Sequence, residues 1–354
     1  LNQIKYPTLI TPKITNAGLV RLGNLTQLEV LRITGAAKVT DFSLAPLKRI
    51  GAVKELILTD AALTDAGLAF VRRMFGANDP RADAAAAAHV ARLGLGGSEL
   101  NDGRLPPVRE IKGLKQLAMW SGNLGDNAMP HVAELPALEA LDISSTNIGD
   151  WGLYHIRGMK TLTKLYVPYS RVSDGGLAHV GGMMGLTELY IPNGNITDAG
   201  IAHLRGLPNV TTLHLHSDKI SDRGLAWLAG LKALKVLRSY RNAASGNGLK
   251  ALGELEHLSQ LEIHGGLNDA AADGLAALRG LGVLRLINTG IGDRTVTEIG
   301  RLKKLKLVEI VGAGNVKDFS LGNLDGLPAV ERLVLTNSQL SGAGRQALMA
   351  AARR

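Results

Sequence analysis

The segment Leu162–Gly185 reads LTKLYVPYSRVSDGGLAHVGGMMG and recurs, with substitutions, along almost the entire chain of 354 residues. Its first part predicts a short strand with one apolar face, because leucines two positions apart in a strand point the same way. Its last part has apolar residues three positions apart, at Leu177, Val180 and Met183, which is the spacing of one helical face. A period of about 24 residues predicts stacked strand–turn–helix units, because one unit cannot bury its apolar side alone.

Fourteen copies can be aligned, and the pattern LxxLxLxxxxITDAGLAHLxxL runs through them. This pattern resembles the leucine-rich-repeat superfamily. Its ITDxGL segment is similar to the ribonuclease-inhibitor-like subtype and to bacterial arrays with a GLAHL helix. The resemblance implies an α/β fold: a curved, right-handed leucine-rich-repeat solenoid with a parallel sheet on the concave face and short helices on the convex face. It also implies a binding scaffold, which is the role of most members.

The repeats predict one solenoid domain over residues 1–354, with an insertion at about 75–89. Most neighbouring repeats are 24 residues apart, but the interval from Leu63 to Leu100 is 37 residues. We interpret the excess as a surface loop with a short helix, because loops accept insertions at little cost. The last predicted helix ends in Leu348 and is followed by Ala350–Arg354, a weak cap. We therefore expect the natural chain to continue there or this end to contact a partner.

Composition excludes several classes of function. The chain has no cysteine, so it has no disulfide and no thiolate site. Its formal net charge is +9, but acidic residues are interleaved with the basic ones and no nucleic-acid-binding motif is present. No apolar run reaches the roughly 18 residues of a membrane span. Glycine-rich phosphate loops and nucleophile elbows are also absent, so we predict no enzyme, no cofactor and no nucleic-acid partner.

Two columns of polar residues recur with the repeat. An aspartate stands at the start of most predicted helices, at Asp41, Asp65, Asp102, Asp126, Asp150, Asp174, Asp198, Asp222, Asp293 and Asp318. We interpret these carboxylates as caps that accept the free N–H groups of the helix they precede. His131, His155, His179 and His203 are parallel rather than convergent, which favours a ladder along the helices over a metal site. In the eleventh repeat we place the apolar residue that ends the turn at Ala270.

Large polar and aromatic residues concentrate at variable strand positions between the fifth and eleventh repeats. These positions alternate with the leucines, so they point away from the core. The predicted binding residues are Trp120, Asp142, Tyr166, Tyr169, Tyr190, His214, His216, Arg238, Tyr240, Arg241, Glu262 and His264. Tyr, Trp and Arg are enriched where proteins bind each other. Aromatic neighbours also stabilise a solvated sheet without any ligand, and the sequence leaves that reading open.

These residues predict a non-catalytic scaffold that binds another protein or a peptide through the concave sheet face. The aromatic side chains would supply contact area. Arg238 and Arg241 would pair with acidic groups of the partner. The sequence indicates neither the compartment nor the oligomeric state.

Two alternatives use the same residues. A carbohydrate or small-molecule receptor would stack rings on the aromatic side chains, with Asp142 and Glu262 accepting hydrogen bonds from hydroxyl groups. A metal-dependent site would use His214 and His216, an H-x-H on one face of a strand. Arg238 lies beside that pair in the predicted sheet and would oppose a cation.

Overall fold

The computed structural model describes residues 8–10, 15–22, 24–25, 27–34, 53–59, 71, 91–312, 314–336, 339–344 and 346. The predicted insertion at 75–89 and the segment 350–354 lie outside the described residues, as do Asp41 and Asp65. The chain divides into two compact units, Leu1–Val172 and Ser173–Arg354, called unit 1 and unit 2 below.

Unit 1 contains seven described strands, and each pairs in parallel with the next one along the chain. They are β1 (Thr8–Ile10), β2 (Val30–Thr34), β3 (Glu55–Thr59), β4 (Arg92–Gly96), β5 (Gln116–Trp120), β6 (Ala140–Asp142) and β7 (Lys164–Tyr166). The described helices are α1 (Asn16–Leu22), α2 (Met129–Ala133) and α3 (Asp150–Ile156), with 3₁₀ turns at Asp102–Arg104, Pro106–Glu110 and Asp126–Ala128. Leu56 in β3 pairs with Leu93 in β4, so the predicted repeat register is kept across the 37-residue interval.

Unit 2 repeats the same plan with seven parallel strands in chain order. They are β8 (Glu188–Ile191), β9 (Thr212–His216), β10 (Val236–Tyr240), β11 (Gln260–His264), β12 (Val283–Ile287), β13 (Leu307–Val311) and β14 (Arg332–Thr336). The described helices are α4 (Asp174–Val180), α5 (Asp198–Leu204), α6 (Asp222–Trp227), α7 (Leu249–Leu252), α8 (Ala271–Ala277) and α9 (Asp293–Ile299). Leu228–Gly230 and Asp318–Gly326 are 3₁₀ turns.

The core of each unit lies between its strands and its helices. In unit 2, Leu189 and Leu213 on the strands and Leu177 and Ile201 on the helices are at most 1% exposed. Strand residues alternate between buried and half-buried, as in β9 and β10. One apolar side of each element is therefore covered by the neighbouring copies, as the repeat period predicts.

The aspartate column makes different contacts from those predicted. Asp174 is the first residue of its helix, and the hydroxyl of Ser173 is the side chain that caps that helix. The Asp174 carboxylate instead accepts hydrogen bonds from the backbone N–H and hydroxyl of Thr197, at 2.8 and 2.6 Å, in the following repeat. Asp102, Asp126, Asp198, Asp222, Asp293 and Asp318 also bond to the following repeat. The prediction that each carboxylate caps its own helix is wrong, since these bonds fasten successive repeats together.

The glycine of the Asp-x-Gly-Leu segment is explained by the same bonds. A Cβ atom on Gly200 would lie 2.2 Å from the Asp174 Oδ1, and one on Gly224 would lie 2.3 Å from the Asp198 Oδ1. These glycines are therefore required by the close approach of the carboxylate in the preceding repeat, rather than by an unusual backbone angle.

The eleventh repeat departs from the predicted alignment. Leu267 is 1% exposed and fills the core position, whereas Ala270 is only half-buried and precedes α8. The prediction that Ala270 is the apolar residue that ends the turn is therefore wrong, because the turn of this repeat is shorter. Asp269 takes over the inter-repeat bond, and its Oδ1 accepts from the N–H groups of Gly292 and Thr295 at 3.0 and 2.9 Å.

Candidate functional site

The predicted binding residues on the strands occupy the half-buried positions that alternate with core leucines. They fall into two groups, one in each unit. Unit 1 contains Trp120, Asp142, Tyr166 and Tyr169. Unit 2 contains Tyr190, His214, His216, Arg238, Tyr240, Arg241, Glu262 and His264.

A groove of about 330 Å³ crosses the strand face of unit 1, and we call it the Trp120 groove. It is lined by Ile57, Arg92, Leu93, Gly94, Gln116, Leu117, Ala118, Trp120, Ala140, Leu141, Asp142, Lys164 and Tyr166. Three of the predicted binding residues are thus brought together in one concavity. Ala118 and Ala140 carry only a methyl group at positions that face away from the core, and Gly94 leaves room for the side chains of Ile57 and Trp120.

The orientation of Trp120 depends on two glycines in β4. A Cβ atom on Gly94 would lie 3.3 Å from Cη2 of Trp120, and one on Gly96 would lie 3.4 Å from Cε3. The indole ring therefore lies across the neighbouring strand and forms a side wall of the groove. Larger residues in β4 would push the ring away.

The other two predicted residues of unit 1 differ in their surroundings. Asp142 Oδ1 accepts hydrogen bonds from the backbone N–H of Ser144, at 2.9 Å, and from the Ser144 hydroxyl. Tyr169 does not line the groove, because it lies in the turn after β7, 72% exposed and with φ at 55°. Arg241 occupies the same turn position in unit 2, with φ at 51°. Bulky residues are uncommon in this left-handed region.

In unit 2, Glu262 is the centre of a group of polar side chains that we call the Glu262 cluster. Its carboxylate lies 3.4 Å from Arg238 Nε, 3.6 Å from Arg285 Nη1 and 2.9 Å from His264 Nε2. The Tyr240 hydroxyl donates a hydrogen bond to it at 3.2 Å. The Glu262 side chain is only 15% exposed, so most of its hydrogen-bonding capacity is used within the protein.

Charges alternate along the middle position of four consecutive strands: Arg238, Glu262, Arg285 and Glu309. Arg285 Nε donates to Glu309 Oε2 at 3.1 Å. Arg238 contacts Glu262 of its own unit, and its pairing with an acidic group of a partner stays a prediction. Arg285 and Glu309 are absent from the predicted site, although their alternating sign at one repeat position was visible in the sequence.

Aromatic and histidine rings surround this cluster. The ring centroids of Tyr190 and His214 are 5.0 Å apart, and those of Tyr240 and His264 are 4.5 Å apart and nearly perpendicular. The His216 and Tyr240 centroids are 6.4 Å apart. These rings, contributed by four neighbouring strands, form one contiguous surface.

Burial and nearby charges shift the pKa values of three groups on the strand face of unit 2. Burial, followed by the charge of Arg238, lowers the pKa of His214 below its usual value of 6.5. Burial and then Arg241 lower the pKa of His216. Burial and the Glu262 carboxylate raise the pKa of Tyr240 above 10.0. Both histidines are therefore held neutral more strongly than in an unfolded chain.

The H-x-H pair lies beside a cation of the protein itself. Arg238 Nη1 is 3.3 Å from His214 Nε2. Among the residues that the structure describes, no group of three or more His, Cys, Asp or Glu side chains is arranged to hold a metal ion. The described helices include none that is long and apolar enough to cross a membrane.

An aromatic group on the helical layer of unit 1 was missed by the sequence reasoning. Trp151 is 66% exposed on α3, and its ring centroid lies 5.3 Å from that of Tyr154. The guanidinium carbon of Arg157 lies 3.5 Å from the Tyr154 ring centroid. Tyr154 stands where other repeats have alanine, as at Ala178, and that departure from the repeat was the available signal.

Comparisons with known proteins support the class that this geometry indicates. A family model described as Leucine Rich repeat matches residues 135–156. An internalin (inlF) from Listeria monocytogenes str. 4b F2365 is 21% identical with a TM-score of 0.50, over 91% of this chain and 77% of that one. A TDR receptor is 12% identical with a TM-score of 0.53, over 96% of this chain and 61% of that one. No curated protein sequence matches the chain.

The chain has the leucine-rich-repeat solenoid fold, and the predicted fold class is confirmed. The likeness to the solved structures concerns the fold, since their sequences are at most 21% identical to this one over the aligned regions. The chain spans about three fifths of the receptor that it resembles.

Proposed function

We propose that this chain is a non-catalytic scaffold that binds another protein or a peptide through the strand face of its repeats. The observation that carries the proposal is the Trp120 groove, where a Trp, a Tyr and an Asp converge on a concavity of about 330 Å³. Concave sites with aromatic walls and a few polar groups are the usual binding sites of proteins. A receptor with the same fold, the TDR receptor, is in keeping with such a role.

Two finer statements belong to the same proposal. The Asp-x-Gly-Leu segments followed by Ala-His, as at Asp174–His179 and Asp198–His203, favour the ribonuclease-inhibitor-like or bacterial ITDxGLAHL subtype. We also propose that residues 1–354 act as a single leucine-rich-repeat domain. Neither statement is needed for binding at the groove.

Comparative pull-downs test the binding function. The wild-type chain, the double variant Tyr166→Ala/Tyr190→Ala and the control Trp151→Ala would be immobilised and exposed to a lysate of the source organism. We expect one set of proteins to be retained by the wild type and by Trp151→Ala, and lost by the double variant. Direct binding of the recombinant partner, measured by calorimetry, completes the test. Equal retention by all three chains contradicts binding through the strand face.

A carbohydrate or small-molecule receptor is the second candidate, and the size of the groove is the observation that favours it. About 330 Å³ lies near the lower end of the range for small-ligand sites. Asp142 supplies an acceptor and Trp120 a ring at its wall. A glycan array with the same variants separates the two candidates. Binding of a glycan that Tyr166→Ala abolishes, without any protein partner, would replace the first candidate by the second.

A further inference from the structure

We infer that the Trp120 groove receives an apolar side chain of a partner peptide and that an acidic residue of the peptide lies beside this side chain. The inference rests on the proposed function and specifies which part of the strand face is used and what chemistry it recognises. It depends on the floor, the walls and the rim of the groove.

The floor of the groove is made by missing side chains. In the middle position of the strands, Gly94 and Ala118 separate Ile57 on one side from Asp142 on the other. The side chains of Ile57 and Trp120 extend over Gly94, where a Cβ atom would lie 3.1 Å from Ile57 Cγ1 and 3.3 Å from Trp120 Cη2. The open part of the floor therefore lies over Ala118, the next strand position along. The equivalent positions in unit 2 carry Tyr190, His214 and Arg238, which fill the corresponding space.

The walls of the groove are largely apolar. Ile57 lies at one end and Tyr166 at the other, and the indole of Trp120 closes the side. Because the indole lies against the β4 backbone, it borders the groove instead of standing free as a platform for a sugar ring. The side chains of Leu93, Leu117 and Leu141 lie beneath the groove and are at most 1% exposed, so the apolar surface open to a partner comes from the outward-facing residues. Such a lining gains free energy mainly by removing apolar surface from water.

The rim of the groove is positively charged. Two basic residues, Arg92 and Lys164, and one acidic residue, Asp142, line the groove. Arg92 Nε donates to Gln116 Oε1 at 2.6 Å, and its Nη1 lies 3.4 Å from Glu55 Oε2. Glu55 also accepts a shorter hydrogen bond from Arg32 Nε, at 2.5 Å. The Glu55 carboxylate therefore accepts hydrogen bonds from two guanidinium groups.

A carboxylate of the partner would complete this arrangement. A guanidinium has five N–H donors, more than Arg92 uses in these contacts, and carboxylates bind it in bidentate geometry. The net charge of +9 favours the approach of an acidic peptide. The apolar floor and the cationic rim together therefore point to a peptide with an apolar residue next to Asp or Glu.

Selection from a random-peptide display library on the purified full-length chain tests the inference. Peptides selected on the wild type are expected to share an aromatic or long aliphatic residue beside an acidic one. Ala118→Phe fills the groove from an outward-facing strand position and should weaken their binding at least about tenfold. Arg92→Gln should weaken binding less, and the remaining affinity should depend less on salt.

Two control variants keep the test specific. Thr336→Phe adds the same ring to a strand of unit 2, and Trp151→Ala removes an exposed aromatic ring from the helical layer. Both should bind the selected peptides like the wild type. Melting temperatures of all four variants should match the wild type within a few degrees, which would show that they are folded. If Ala118→Phe fails to fold, the affinity of Arg92→Gln and its salt dependence still test the inference.

The remaining outcomes separate this inference from the proposed function. Peptides that bind Ala118→Phe normally but lose affinity on Tyr190→Ala would overturn the groove inference and leave strand-face binding intact. Peptides that are insensitive to both variants would contradict both proposals. Selected peptides without acidic residues, or a glycan that competes for the groove, would overturn the stated chemistry of the partner.

Discussion

The Trp120 groove of unit 1 and the Glu262 cluster of unit 2 occupy equivalent strand positions. They differ in whether their side chains bond to one another or leave a volume open to solvent. In the cluster, four side chains converge on one carboxylate. In the groove, small residues leave a volume of about 330 Å³ between aromatic walls. The same repeat thus produces a filled polar surface in one place and an open concavity in another.

This difference separates residues that look alike in the sequence. A partner at the cluster would have to replace hydrogen bonds that the protein already makes, and such exchanges gain little net free energy. A partner at the groove would mainly cover apolar surface. Aromatic and charged residues at equivalent positions therefore contact one another in unit 2, whereas those in unit 1 border an open concavity.

The largest expected effect comes from breaking the cluster at its centre. Glu262→Gln leaves Arg238 and Arg285 close together without their shared carboxylate, so we expect it to reduce the free energy of unfolding by about 2 kcal/mol. Asp142→Asn in unit 1 replaces the charged acceptor of the Ser144 hydrogen bonds by a neutral one. It should reduce the free energy of unfolding by less than about 1 kcal/mol. Urea denaturation measures the free energy of unfolding of both variants. Equal losses would show that the two regions do not differ in internal bonding.

A smaller effect is expected from the Tyr240 hydroxyl. Tyr240→Phe removes its hydrogen bond to Glu262 and should cost about 1 kcal/mol. The double variant with Glu262→Gln should lose less than the sum of the single losses, because both changes remove one interaction. In a spectroscopic titration, the raised pKa of Tyr240 should move back toward 10.0 in Glu262→Gln. Additive losses and an unchanged pKa would refute the assigned bond.

The histidine rings around the Glu262 cluster should make the stability of unit 2 depend on acid. Burial and Arg238 lower the pKa of His214 in the folded state, so the unfolded state binds more protons below about pH 6.5. The free energy of unfolding should therefore fall as the pH is lowered from about 6.5, and the loss should be smaller in His214→Gln. Thermal melting at a series of pH values measures this dependence. An identical pH dependence in the variant would rule out His214 as its source.

The groove offers a contrasting control for the same titration. None of its lining residues, all in described parts of the chain, is a histidine. Binding of a selected peptide to the wild type should therefore change little between about pH 7.5 and pH 5.5, where only groups with a pKa near that of histidine titrate. Titration calorimetry at both values provides the measurement, and a peptide without histidine keeps the comparison clean.

The smallest effect is expected at the floor of the groove. Ala118→Val adds a β-branched residue at an outward-facing strand position, where such residues are favoured. Stability should change by less than about 0.5 kcal/mol, as is usual away from packed features. A large loss in urea denaturation would show that the small residue is needed for packing and that the concavity is a by-product.

Much of this architecture was predictable because it is local and periodic. The leucines at alternate positions fix which strand residues face the core, and the 24-residue period fixes which residues become neighbours. Trp120, Asp142 and Tyr166 could therefore be assigned to one surface before any coordinates. The sequence prediction failed at Ala270, because a shortened turn places Leu267 in the core position instead. A turn that is one residue shorter leaves the spacing of the apolar residues nearly unchanged, so the sequence did not reveal it.

The sequence by itself determined a stack of strand–turn–helix repeats and the outward-facing positions of the strands. Only the tertiary structure decided that Asp174 bonds to the next repeat, that Glu262 is surrounded by side chains of its own unit, and that a groove lies over Ala118 beside the Trp120 ring. The physical reason is that hydrogen bonds and empty volume depend on distances between side chains from neighbouring repeats. A repeat pattern specifies which residues are neighbours, whereas side-chain lengths and orientations in the folded chain decide which of them touch.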